Sequence, residues 1–229
     1  MDIDFNNKVL WVWNIFGEDL YITESIRNTW LIGLALIIFA IIVRVKIKNF
    51  EAVPNSKFQN IVELIVETFH NFSLETMDER FANYGFWFFG VICFIAISNI
   101  SGLIGLRPPT SDLAVTLTFA LCTFVIMHVS GILISKSQYF KDYVSPMFIF
   151  LPLNIISEIA TPVSLGFRLF GNILSGTIIM ALIYGMLPTV LTIGLPAFLH
   201  MYFDIFAGLL QSYIFVILSM TFIRQKLPE

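Results

Sequence analysis

The sequence predicts an all-α integral membrane protein with about five transmembrane helices. Hydrophobic residues make up 57% of the 229 residues and charged residues only 13%, and the mean hydropathy is +0.84. Soluble domains carry about 25% charged residues, roughly twice this fraction. Several uncharged stretches are also long enough to cross the roughly 30 Å hydrocarbon core of a bilayer. We therefore expect residues 1–229 to form one membrane domain that is solvated by the lipid bilayer.

The first three predicted spans are Asn28–Val43, Phe81–Leu106 and Leu113–Ser135. The first is short for a span, but the basic side chains that follow it can reach the interface and lengthen it. Residues 1–27 precede it as an extracytoplasmic segment. Arg107–Asp112, which contains two prolines, predicts a tight loop between the second and third spans.

Residues 56–77 predict an amphipathic helix at the cytoplasmic surface. Apolar residues recur at helical spacing, whereas Glu63, Glu67 and His70 fall on another side. The apolar residues are Phe58, Ile61, Val62, Ile65, Val66 and Phe69.

The last part of the chain, residues 143–224, predicts a helical hairpin. Tyr143–Tyr184 would extend about 63 Å as one straight helix, which is twice the bilayer core and indicates a strong tilt. The return helix is predicted from near Pro196 to Arg224, antiparallel to the first. The positions at which the first helix can bend are Pro146, Pro152 and Pro162, and the turn is marked by Gly185, Pro188, Gly194 and Pro196.

The distribution of basic residues predicts the orientation of the chain. With the C-terminal end of the first span in the cytoplasm, nine of the 13 basic residues lie inside and three outside. The N-terminus is then outside and the C-terminus inside, as an odd number of spans requires. The inside set is Arg44, Lys46, Lys48, Lys57, Arg80, Lys136, Lys141, Arg224 and Lys226, and the outside set is Lys8, Arg27 and Arg107.

Three charged residues, Glu158, Arg168 and Asp204, interrupt the apolar hairpin. An ionised side chain at membrane depth costs about 3 kcal/mol or more, so such residues face a protein interior or water. Each helix carries a polar stripe at intervals of three and four residues, and we expect the two stripes to face a shared aqueous path. The stripes are Ser164, Arg168, Asn172 and Ser175 on one helix, and His200, Asp204, Gly208 and Gln211 on the other.

A buried ion pair of Arg168 with Asp204 or Glu158 is the structural alternative. A pair needs no accompanying stripe of Ser, Asn, Gln and His, whereas a hydrated half-channel does, and we therefore favour the channel. The sequence has no catalytic, phosphate-binding or Cys/His metal motif, so we expect no cofactor and no metal. The net charge of −3 gives no reason to expect a nucleic-acid partner.

Four segments in register resemble subunit a of the F-type ATP synthase. The most specific is Pro162-Val-Ser-Leu-Gly-Phe-Arg-Leu-Phe-Gly-Asn172. The others are Ile-Ser-Asn-Ile-Ser-Gly-Leu-Ile around Asn99, the segment that begins Pro109-Thr-Ser-Asp, and the segment that begins Gln211-Ser-Tyr-Ile. The resemblance extends from about Tyr21 to Lys226.

The resemblance implies a stator subunit of a rotary motor, which is not itself catalytic because ATP chemistry belongs to other subunits. Two offset half-channels would pass H⁺ or Na⁺ to and from the carboxylates of a c-subunit ring, with Arg168 as the gating charge. Other implied partners are b-type peripheral stalk subunits and, indirectly, the F1 sector, in a bacterial plasma or inner membrane. The implied ion-translocation residues are Arg168, Asn172, Gln211, Asp204, Glu158, Ser164 and His200; weaker channel-lining or packing candidates are Asn99, Asp112, Ser175 and Thr177.

The sequence departs from the family pattern at Thr177, where many members have glutamate nine residues after the arginine. Asp204 stands where many have histidine or glutamate, so the outer carboxylate is expected to have moved to the facing helix, with His200 one turn away as a relay partner. The residues leave the choice between H⁺ and Na⁺ open. Two other functions also stay open: a secondary transporter that uses Glu158, Arg168 and Asp204, disfavoured because no internal repeat is found, and a purely structural assembly subunit.

Overall fold

The structure is a computed structural model that describes residues 9–15, 18–51, 56–136, 139, 141, 147–186 and 194–226. Within these residues, five helices are long and apolar enough to cross a membrane, as judged by length and composition. The prediction of an all-α membrane protein with about five spans is therefore confirmed. The helices are α1 (Glu24–Ile47), α2 (Lys57–Met77), α3 (Ala82–Ile100), α4 (Leu113–Ser135), α5 (Leu151–Met186), α6 (Leu195–His200) and α7 (Gly208–Arg224). The first span begins four residues before its predicted start, and α4 has its predicted bounds.

The N-terminal segment contains a β-hairpin that was not expected. Strands β1 (Val9–Ile15) and β2 (Glu18–Thr23) pair antiparallel, with a register irregularity between Val9 and Trp11. Both strands are rich in the aromatic and β-branched residues that favour pleated structure. The hairpin leads directly into α1, and Trp11 is among its exposed side chains.

Helix α2 confirms the amphipathic helix, although its packing face differs from the apolar one. Its N-cap is Ser56, whose hydroxyl accepts a hydrogen bond from the Gln59 amide at 3.1 Å. The buried positions are Gln59, Ser73 and Met77, whereas apolar Leu64 is exposed. Phe69 and Phe72 still pack partly against the core, and Glu63, Glu67 and His70 stay exposed. In a bilayer, lipid can accept the apolar side chains that the protein leaves exposed. Its position on the cytoplasmic side stays a prediction.

The core lies where α3, α4, α5 and α7 pack together. Phe88, Ile95, Leu169 and Phe215 are almost fully buried there. Small residues let the helices approach closely. Close packing is needed in a membrane, because burying an apolar side chain against protein gives no advantage over leaving it in lipid. A Cβ added at Gly166 would lie 2.8 Å from the Leu117 side chain.

The long helix of the hairpin is α5, preceded by a 3₁₀ turn at Phe148–Phe150. Pro152 occupies its first turn, where a missing N–H costs nothing, whereas Pro162 is internal and removes the helical donor to the carbonyl of Glu158. The predicted start of this helix, Tyr143 to Pro146, and most of the predicted turn, including Pro188, lie outside the described residues.

The return helix is not uniformly α-helical. A π-helical segment, Met201–Ala207, separates α6 from α7 and contains Asp204. Each π-type turn holds one residue more than an α-turn, so residues after it are rotated relative to an uninterrupted α-helix. The polar stripe predicted for this helix is therefore split. Asp204 lies within the π-helical segment, whereas Gln211 lies after it and is buried.

Candidate functional site

Arg168 lies in the middle of the 36-residue helix α5, on a face that the protein leaves open. Ser164, one turn earlier, is also exposed, and a Cβ added at Gly171 would meet nothing within 4 Å. The opposite face, which includes Leu165 and Leu169, is buried in the core. Arg168 therefore projects from the subunit surface at the centre of a long apolar helix.

Arg168 forms no ion pair with the described carboxylates. Asp204 pairs instead with His200, and Glu158 with Lys226. The structural alternative of a buried pair between Arg168 and either carboxylate is therefore wrong. The reason is geometric, since both acids lie at other levels along the hairpin and each has a nearer basic partner.

A cavity of about 390 Å³ lies on one side of Arg168, between α5 and the return helix. At about 30 Å³ per water molecule, it has room for on the order of ten. Its walls come from the start of α1, the loop after α3, the second half of α5 and the π-helical segment. The residues that line it are Glu24, Asn99, Gly102, Gly105, Leu106, Arg107, Pro108, Asn172, Ile173, Gly176, Thr177, His200, Phe203 and Asp204. We call it the outer cavity, because the predicted orientation of the chain would place it on the extracytoplasmic side.

Asp204 is the central acid of the outer cavity. Its Oδ2 lies 2.8 Å from Nδ1 of His200, and Nε2 of His200 lies 3.2 Å from the hydroxyl of Tyr184. The side chain of Asp204 is 21% exposed, so it reaches both protein and cavity. Gly102 lies beside it, and a Cβ added there would be in ordinary van der Waals contact with Oδ2, at 3.4 Å. Tyr184 was missed in the sequence, although it lies seven residues after Thr177 on the same helix.

Two polar residues of α5 border the same cavity from the facing wall. Asn172 is half-buried there, and Thr177 is exposed. The Thr177 hydroxyl donates to the carbonyls of Ile173 and Leu174, at 3.1 and 2.8 Å. Ser175 does not line the cavity; its exposed hydroxyl donates to the carbonyl of Asn172 at 3.0 Å. The two predicted stripes thus meet only along the part that contains Asn172 and Asp204.

Asn99 fastens α3 to the return helix. Its Nδ2 donates to the carbonyl of Gly208 at 2.8 Å, and its Oδ1 accepts from the Thr110 hydroxyl at 2.7 Å. A Cβ added at Gly208 would lie 2.8 Å from that of Asn99. Both amide atoms are therefore used in packing. Asp112 caps α4, because its Oδ1 accepts from the amide of Ala114 at 3.0 Å.

Gln211 is 6% exposed on α7, and its Nε2 has no hydrogen-bond partner within the described part of the chain. A buried unpaired donor costs about 1–3 kcal/mol, so this amide calls for an acceptor that the described residues do not supply, such as an internal water.

A second polar group, which we call the inner cluster, surrounds Glu158. The carboxylate pairs with the ammonium of Lys226, and its Oε2 lies 3.9 Å from Nε2 of His128. Nδ1 of His128 lies 2.7 Å from the hydroxyl of Tyr139. Sequence reasoning identified only Glu158; His128 could have been found as an ionisable residue inside the predicted third span.

The outer cavity and the inner cluster lie on opposite sides of Arg168 along α5. Glu158 precedes Arg168 by ten residues, or about 15 Å of helix, and Thr177 follows it by nine, or about 14 Å. Two polar regions toward opposite ends of the hairpin are thus separated by Arg168, which has no partner among the described residues.

Comparison with known proteins gives a consistent result. Residues 27–224 match the family described as ATP synthase A chain. The chain is 32% identical to ATP synthase subunit a of Staphylococcus saprophyticus, covering 95% of this chain and 96% of the relative, and 32% identical to that of Bacillus subtilis, covering 93% and 96%. It is also 31% identical to the sodium ion specific ATP synthase subunit a of Propionigenium modestum, covering 91% and 75%.

Proposed function

The chain belongs to the family of ATP synthase A chains, the ion-translocating stator subunit of the membrane sector, and we propose that its outer cavity and inner cluster are the two access paths of the ion, separated by Arg168. The observation that carries this proposal is the position of Arg168, unpaired and exposed at mid-helix between two polar regions. Membership of this family removes the secondary-transporter alternative.

An unpaired guanidinium at membrane depth requires a partner that the described part of this subunit does not supply. Arginine stays protonated in apolar surroundings, and its isolation there is costly. A carboxylate on a rotating c-subunit ring supplies such a partner: it is neutral against lipid and loses its ion when the fixed positive charge of Arg168 lowers its pKa. The same charge repels an ion that would cross directly between the two access paths.

The outer path is formed by Asp204, His200, Asn172 and the wall at Thr177. The carboxylate that many family members carry at the position of Thr177 comes here from the facing helix, and both positions line one cavity. Ser164 lies exposed beside Arg168, whereas Gln211 takes part from inside the subunit, where its amide nitrogen is buried and has no partner within the described residues. Asn99, Asp112 and Ser175 serve packing and capping.

The subunit works within the membrane sector of ATP synthase. We propose contacts with the c-subunit ring at the Arg168 face and with b-type peripheral stalk subunits elsewhere, and an indirect link to the F1 sector. The bacterial relatives support a bacterial plasma or inner membrane, and the excess of basic residues supports an N-terminus outside and a C-terminus in the cytoplasm.

The proposal is tested by Arg168→Ala in the complete ATP synthase, reconstituted into liposomes. We expect ATP-driven ion pumping to fall to background while the amount of assembled complex stays as in the wild type. Arg44→Ala, at an exposed arginine near the end of α1, is the matched control and should pump normally. Retained pumping would contradict the gating role, and loss of the assembled complex would indicate a structural role.

A further inference from the structure

The β-hairpin before α1 exposes large apolar side chains on both of its faces. Trp11 and Val12 are neighbours in β1 and therefore point to opposite faces. Trp11 is 75% exposed and Val12 is 48% exposed, and Tyr21, which pairs with Val12 across the ladder, is 56% exposed. A two-stranded hairpin is at best marginally stable in water. This hairpin therefore requires surroundings that accept apolar side chains on two sides.

The polarity of the hairpin changes along its length rather than from one face to the other. The exposed apolar side chains lie at its base, the end nearest α1. The tip carries Asn14 and Asp19, which are both exposed, and Nδ2 of Asn14 donates to Oδ1 of Asp19 at 2.8 Å. A protein partner would cover one face of the hairpin and leave the other in water. A gradient along the axis instead fits the boundary between lipid headgroups and water.

The chain places the base of the hairpin at the end of a membrane span. Strand β2 ends at Thr23 and α1 begins at Glu24, so no linker separates them. With 24 residues, α1 is about 36 Å long, only about 6 Å more than the hydrocarbon core. Glu24 and Arg27, which form an ion pair at 3.3 Å, therefore lie near the headgroups. The hairpin starts at the same level.

The backbone of the hairpin keeps it out of the hydrocarbon core. Within the described residues its sheet has two strands, so both edges are open. Unpaired N–H and C=O groups at an open edge are not tolerated in hydrocarbon, but headgroups and their water can bind them. The headgroup layer is about 5–8 Å thick on each side of the bilayer. The three residue pairs at the base extend about 10 Å along the strands, so a tilted hairpin fits its base into this layer.

From this placement we propose that the hairpin is an interfacial anchor, which inserts residues 9–12 and 21–23 among the phospholipid headgroups at the N-terminal end of α1. In the predicted orientation these headgroups belong to the extracytoplasmic leaflet. The rings of Trp11 and Tyr21 suit this layer, because each joins an apolar ring to a polar group. The anchor has a role in holding α1. The buried residues of that helix, Ser25, Asn28 and Ile32, all lie in its first half, and the headgroup contacts fix its depth.

The proposal is tested by photochemical crosslinking in the complete ATP synthase, reconstituted into liposomes that contain radioactive phosphatidylglycerol. The photoreactive amino acid p-benzoylphenylalanine replaces the natural residue at position 11, 21 or 14 in separate preparations. Position 14, at the exposed tip of the same hairpin, is the matched control. We expect radioactive lipid to become attached to this subunit from positions 11 and 21, at several times the yield obtained from position 14.

Attachment from both positions is required, because Trp11 and Tyr21 lie on opposite faces of the hairpin. Crosslinks to another protein subunit in place of lipid, from either position, would overturn the anchor and identify a docking surface for a protein. Yields from positions 11 and 21 that are no higher than from position 14 would place the base of the hairpin in water and would also overturn the anchor.

Hydrogen exchange of backbone amides provides a second measurement on the complex in liposomes. Trp11→Thr keeps a residue that favours strands but removes the ring, whereas Trp11→Tyr keeps an amphipathic ring and is the matched control. Peptides that cover β1 and β2 should exchange about tenfold to 100-fold faster in Trp11→Thr. They should exchange at the wild-type rate in Trp11→Tyr. Unchanged exchange in Trp11→Thr would contradict an anchor that depends on this ring.

Failure of this inference is distinguishable from failure of the proposed function. Both measurements concern contact with lipid and do not involve ion transport. A hairpin that lies in water or against a protein would leave the assignment of Arg168 unchanged, and ion pumping that survives Arg168→Ala would leave the anchor unchanged.

Discussion

Asp204→Asn is the most informative substitution in the outer cavity. It keeps the shape of the side chain but removes the charge that faces His200 at 2.8 Å. A hydrogen bond to a charged group contributes about 1.5–3 kcal/mol and a neutral one about 0.5–1.5 kcal/mol, so the loss of stability is about 1–2 kcal/mol. That is small for a subunit held by five packed spans and by its complex.

The effect on transport should be much larger than the effect on stability. A positioned acid or base contributes about 10²–10⁴-fold to a proton-transfer rate, which corresponds to about 2.7–5.4 kcal/mol of barrier. We therefore expect ATP-driven pumping by Asp204→Asn to fall at least about 100-fold while the complex still assembles. Pumping is measured by fluorescence quenching in inverted membrane vesicles, and assembly by native gel electrophoresis.

A matched control and a rescue make the reasoning refutable. Asp112→Asn makes the same change in a residue that caps α4, and asparagine is an equally good cap, so this variant should pump normally. Thr177→Glu combined with Asp204→Asn puts a carboxylate on the opposite wall of the same cavity and should restore part of the rate. Normal pumping by Asp204→Asn would refute the requirement for a carboxylate in the outer cavity. A double variant as inactive as the single one would refute the idea that the carboxylate can stand at either position 177 or position 204.

Two further predictions concern the packing around the return helix. Gly208→Ala should destabilise the subunit by about 1–3 kcal/mol, because the new Cβ would lie 2.8 Å from that of Asn99; the thermal denaturation midpoint of the detergent-solubilised complex measures this, and an unchanged midpoint would contradict the close contact. Gln211→Leu should cost less than about 1 kcal/mol, because the buried Nε2 has no partner within the described residues. It should nevertheless lower pumping, since we assign Gln211 to the ion path; normal pumping with the same stability would remove Gln211 from the path.

Helix positions were predictable because they depend on local hydropathy. The bounds of α4 agree with prediction because Asp112 and Lys136 mark its two ends with polar residues. Helix α2 was found from its periodicity, yet the face that it buries was not. Gln59 and Ser73 pack inward and Leu64 outward, because lipid can accept an exposed leucine and the rotation of the helix is set by its tertiary contacts.

The sequence could also single out Arg168, Asp204 and Glu158, because an ionisable residue in a long apolar run is costly wherever it points. It could not show how they are partnered. Glu158 and Lys226 are 68 residues apart, and their pairing depends on how α4, α5 and the end of α7 are rotated about their own axes.

The sequence by itself determined that the protein lies in a lipid bilayer, where its membrane spans are, and that Arg168 is the central charge. Each of these follows from the energy of placing one residue or one segment in lipid. Only the tertiary structure decided that Arg168 has no partner among the described residues, that Asp204 lines a cavity beside His200, and that His128 stands beside Glu158. The π-helical segment is the clearest reason: one added residue in the turn rotates Gln211 away from the stripe that an ideal helix would give it. Contacts between helices depend on such rotations. The spacing of residues along one helix does not predict them.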